Sequence, residues 1–98
     1  MTPPEFLLAS LGACAGFYAA QYLKARSLDG SGLEIKVSAE KALQPARLGS
    51  FHIEVFAPPL DPQHEADLLR AVQKCLIHNT LLNPPSIDTV VHCLALQS

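Results

Sequence analysis

The chain has 98 residues, of which 49% are hydrophobic and 16% charged, and its 7 basic and 9 acidic side chains leave a net charge of −2. That balance excludes a disordered chain and argues against a nucleic-acid partner. A chain of this length buries only roughly two-thirds of the surface its unfolded form exposes, so a mean hydropathy of +0.21 points to self-association.

The first predicted element is a helix from Thr2 to about Ser27. Thr2-Pro3-Pro4-Glu5 has capping-box spacing with proline in the first turn, and the Asp29-Gly30-Ser31-Gly32 turn cluster ends the helix. Its run from Phe6 to Leu23 is 18 residues without a charge, which touches the lower limit for a membrane span. Against a span stand the Ala/Gly-rich composition, Ser10 and Gln21 within the run, and basic residues (Lys24, Arg26) on one side only. The alternative is a helix buried on every side, in a core or at a subunit interface. Ala9, Gly12, Ala13 and Gly16 would let another backbone come close.

Leu33, Ile35, Val37 and Ala39 alternate with polar residues, the period of a strand with one buried face, and Phe51, Ile53, Val55 and Ala57 repeat the pattern. Gln44 to Gly49 between them reads as a hairpin loop. Pro58 and Pro59 end the second strand, and Asp61-Pro62 opens a second helix with an N-cap aspartate and an N1 proline. The apolar stripe Leu68, Leu69, Val72, Cys75 and Leu76 puts Cys75 on the core side near that helix's end. After Asn83-Pro84-Pro85, the β-branched and aliphatic stretch Ile87 to Leu96 predicts a last strand.

The order αββαβ is an α+β layering within a single domain spanning residues 1–98, with helices on one face of a small sheet. Three strands cannot hide so apolar a first helix. Either more sequence precedes Met1, or two copies pack their first helices together.

Cys14, Cys75 and Cys93 are an odd number at wide spacing, unlike the disulfide framework of a small secreted domain. The acidic start Met1-Thr2-Pro3-Pro4-Glu5 lacks the basic n-region of a signal peptide. Both point to a reducing, cytoplasmic setting. Cys75 and His78 have C-x-x-H spacing and His92-Cys93 follow, but neighbours on a strand point to opposite faces and one pair falls short of a zinc site. No metal or other cofactor is expected. His52 and His64 read as exposed, and Cys93 as a core residue. A cysteine in an Ala/Gly-rich helix is ordinarily a small packing residue, and that reading stays open for Cys14 and Cys75.

Two segments carry a resemblance. Pro4-Glu5-Phe6-Leu7-Leu8-Ala9-Ser10-Leu11-Gly12-Ala13-Cys14 resembles the first cysteine motif of the OsmC/Ohr family, the osmotically inducible and organic hydroperoxide resistance proteins. Lys74-Cys75-Leu76-Ile77-His78-Asn79-Thr80-Leu81 is similar to the second. The resemblance covers essentially the whole chain, as the C-terminal portion of the family fold, and implies an OsmC-like α+β fold with a long central helix in an intertwined homodimer.

It also implies a chemistry. Cys14 would be the peroxidatic cysteine, attacking an organic hydroperoxide to become a sulfenic acid. Cys75 would be the resolving cysteine, condensing with it to a disulfide that a dithiol such as dihydrolipoamide reduces. Burial raises a thiol's pKa, so Cys14 needs a nearby cation. The family takes an arginine from an N-terminal β-region that would precede this chain's first residue; Arg26 or Arg47 across a dimer is the alternative. The family's carboxylate stands ten residues before the first cysteine, where this chain has Pro4, and Glu5 is one residue late. Glu5 has a second reading as half of the capping box. These departures motivate an alternative function: a non-catalytic OsmC-like dimer with an apolar pocket for a small ligand.

Overall fold

The computed structural model describes residues 1–93. Its first element, α1 (Pro3–Ala25), starts as the sequence predicts: the Glu5 N–H donates to Thr2 Oγ1 at 3.3 Å and the Thr2 N–H donates to Glu5 Oε1 at 2.9 Å. This reciprocal cap satisfies two donors that a helix start otherwise leaves unpaired.

β1 (Glu34–Ala42) and β2 (Arg47–Phe56) form an antiparallel hairpin, registered with Glu34 opposite Phe56 and Glu40 opposite Ser50. The register slips between Glu40 and Lys41, so that Lys41 faces Leu48 and Gly49 is left over. Only a glycine fits at that bulge, because a Cβ at Gly49 would lie 2.6 Å from the Ala42 Cβ. The inward residues Ile35, Val37, Ile53 and Val55 are half-buried and their neighbours exposed, the alternation that the sequence showed.

The long helix lies across this sheet. Leu11, Ala15, Ala19, Tyr22 and Leu23 are buried at spacings of three and four, and α1 packs on both β1 and α2. A Cβ at Gly12 would meet Val37 Cγ2 at 3.3 Å, and one at Gly16 would meet Ile35 Cγ1 at 3.5 Å. The small residues Gly12 and Gly16 thus bring α1 close to β1. By length and composition α1 is also long and apolar enough to cross a membrane.

α2 (Pro62–Val72) is capped by Asp61, which accepts from the His64 N–H at 2.8 Å, and buries Leu68 and Val72 against Ala15, Ala19, Tyr22 and Leu23. Tyr22 Oη meets His64 Nδ1 at 2.9 Å and also approaches Asp67, so His64 is half-buried and tied to α1 rather than exposed. The buried phenol needs a polar partner, and the first turn of α2 supplies it. His52, on the outer face of β2, is exposed as expected.

Two expectations need correction. The second helix does not run through Cys75: it ends at Val72, and a separate helix, α3 (Leu76–Leu82), begins after Cys75. The last strand is not formed at Ile87–Cys93, whose residues are exposed and in no regular element, while 94–96 lie outside the described residues. Cys93 is accordingly exposed, not core. After Asn83-Pro84-Pro85 the described residues pair with neither β1 nor β2, and a strand needs a neighbour to satisfy its backbone. The molecule extends over 71 × 29 × 25 Å, with a radius of gyration of 18.5 Å. A compact chain of this size has about 12–13 Å.

Candidate functional site

Cys14 sits in the middle of α1, on a turn whose flanking residues Leu11 and Ala15 are buried. Cys75 occupies the gap between α2 and α3, and is itself fully buried. Their sulfurs are joined in a disulfide with Cα atoms 5.7 Å apart, inside the range that bond requires. Two residues 61 apart in sequence thereby pin α3 to the middle of α1.

Cys75 has a second structural role as the N-cap of α3, its Sγ accepting from the His78 N–H at 3.5 Å. Cysteine is not among the preferred N-caps, so the helix break there had no signal of its own in the sequence. The Cys75-x-x-His78 spacing that suggested half a metal site is the spacing of an N-cap to its N3 residue. In this state the Cys75 sulfur is a disulfide sulfur and not a thiolate ligand.

An open cavity of about 490 Å³ lies between α1, β2 and α3. Leu11, Phe51, Ile53, Leu81 and Leu82 make its walls apolar, and His78 is the one ionisable side chain among the described residues lining it. Neither cysteine lines it, but Leu11 stands one turn from Cys14 and His78 one turn from Cys75 along their helices. Sequence reasoning missed Leu11, Phe51 and His78 as site residues; only the C-x-x-H spacing drew attention to His78.

The structure does not bring Glu5 to Cys14. Glu5 lies about two and a half turns earlier on the same straight helix, exposed and engaged with Thr2. Hydrogen bonds from the Thr2 backbone and side chain hold its carboxyl below the usual 4.5. Arg26 stacks over the Tyr22 ring at 5.2 Å, and Arg47 donates to the Leu43 and Pro45 carbonyls of its own loop. Neither lines the cavity.

The family model of OsmC-like proteins matches residues 1–90. The chain belongs to the OsmC-like family. No curated protein matches it in sequence. Among solved structures it is similar to a protein of Psychrobacter arcticus 273-4 described as an osmotic stress induced and detoxification response protein, with a TM-score of 0.74 and 21% identity. The match covers 81% of this chain and 58% of that one, so this OsmC-like chain spans a little over half the neighbour's length. At that identity the likeness establishes the OsmC-like α+β fold.

Proposed function

We propose that this OsmC-like protein is a thiol peroxidase that reduces organic hydroperoxides, with Cys14 peroxidatic and Cys75 resolving. The observation that carries this reading is the Cys14–Cys75 disulfide, the product that the second step of such a cycle must form. Supporting it, Cys14 is only half-buried whereas Cys75 is fully buried, so an incoming oxidant meets Cys14 first. The apolar cavity suits the organic part of a hydroperoxide.

In this reading a dithiol such as dihydrolipoamide reopens the disulfide, the protein works in the cytoplasm, and its role is detoxification under stress, as the name of the Psychrobacter arcticus neighbour suggests. The working unit is a homodimer. Phe6 and Phe17 are 61% and 62% exposed on α1, and Leu76 and Leu82 on α3 are also exposed, an apolar surface that a second copy would cover.

The test is turnover of cumene hydroperoxide with a dithiol reductant. The parent protein should consume peroxide continuously, and Cys14→Ser should lose at least about 100-fold in rate. Turnover undiminished in Cys14→Ser would refute the assignment.

The placement of Glu5 in the helix cap favours a second reading: a non-catalytic OsmC-like dimer whose apolar cavity holds a small ligand. Absence of peroxide turnover, with saturable binding of an apolar probe that Leu11→Trp blocks, would select it.

A further inference from the structure

We propose that His78 is the proton donor of the peroxidase reaction, delivering a proton to the oxygen that leaves when Cys14 attacks the hydroperoxide. The inference rests on the peroxidase reading and assigns a residue that reading leaves without a role.

Three observations converge on His78. It is the N3 residue of α3, and its backbone N–H donates to Cys75 Sγ. It is half-buried, and its imidazole lines the cavity that also reaches Leu11, one turn from Cys14. No other described residue of that cavity carries a charge: from β2 it receives Leu48, Gly49, Ser50, Phe51 and Ile53, and from α1 only Leu11. The two arginines that offered an alternative are engaged elsewhere, on Tyr22 and on the hairpin loop.

The chemistry needs such a group. An alkoxide is a strongly basic leaving group, and a positioned proton donor eases its departure. Imidazolium is a proton donor that exists near neutral pH. The Cys14 thiolate gives an electron pair to the terminal peroxide oxygen; the S–O bond forms as the O–O bond breaks. The sulfur is oxidised to a sulfenic acid and the hydroperoxide is reduced, its alkoxide taking the His78 proton to leave as the alcohol. Neutral His78 regains a proton from solvent. The Cys75 thiol then displaces water from the sulfenic acid and closes the disulfide.

Two oxidants separate this role from a structural one. Cumene hydroperoxide expels a basic alkoxide, whereas peracetic acid expels a weakly basic carboxylate that departs without a proton. In single-turnover oxidation of the reduced full chain, His78→Gln should react about 100-fold more slowly with cumene hydroperoxide and within about twofold of the parent with peracetic acid. Equal slowing with both oxidants, or no slowing with either, would overturn the assignment while leaving the peroxidase reading in place. A parent that reacts with neither oxidant would instead sink the peroxidase reading itself.

Discussion

The two cysteines of the disulfide stand in contrasting settings. Cys14 is held mid-way along a helix of 23 residues that packs on β1 and α2, so its position follows from a large shared core. Cys75 stands in the short gap between two helices, held by its sulfur's bond to Cys14 and by the cap it provides to α3. Both are packed, Cys75 completely, but Cys14 lies within a long regular helix and Cys75 between two. In the proposed cycle the nucleophile would stay fixed while the segment bearing Cys75 depends on the oxidation state, because α3 buries no residue of its own.

Breaking the contrast from the Cys75 side should have the largest effect. Closing a loop of this length removes unfolded-state entropy worth about 4 kcal/mol in the chain-entropy account. Denaturant unfolding with and without a dithiol should show the oxidised form more stable by that order, and hydrogen exchange should show the loss concentrated in α3 rather than α1. Equal loss of protection in α1 would contradict the asymmetry.

From the Cys14 side, the close approach of α1 to β1 is the feature to disturb. Gly12→Leu inserts a side chain where a bare Cβ already meets Val37 at 3.3 Å, which should cost about 1–3 kcal/mol by overpacking. Its thermal unfolding should shift downward even in the oxidised protein. Tyr22→Phe removes the hydroxyl shared with His64 and should cost about 1 kcal/mol, measured by the same unfolding experiment, with the disulfide still forming.

The smallest effect lies at the start of α1. Folding holds the Glu5 carboxyl below 4.5 through its bonds from Thr2, so its contribution is complete above that value and is lost as pH falls through the lower folded-state value. Glu5→Gln should flatten that part of the acid stability profile and leave hydroperoxide turnover unchanged, since the cap is remote from Cys14.

Most of the scaffold was legible because it is written in local chemistry. Thr2 with Glu5 and Asp61 with Pro62 mark helix starts through side chains that satisfy nearby backbone donors. The two strands declare themselves by alternation. What was not legible depends on distant partners. The stripe through Leu68, Val72 and Cys75 reads as one helix, and the break falls where Cys75 is bonded to Cys14 and caps α3. His64 is polar in a first turn and looks exposed until Tyr22, 42 residues away, is seen to need it. Ile87 to Cys93 has the composition of a strand, yet among the described residues it pairs with neither β1 nor β2. The pairing of Cys14 with Cys75 came from the family resemblance, since spacing alone left both as packing residues.

The most direct test of the redox pair is the product of one equivalent of cumene hydroperoxide acting on the fully reduced chain, mapped by non-reducing peptide mass analysis. Loss of two thiols in an intramolecular link between the Cys14 and Cys75 peptides, with Cys93 left free, is the result this account predicts. Persistence of all three thiols, or oxidation confined to the exposed Cys93, would contradict it.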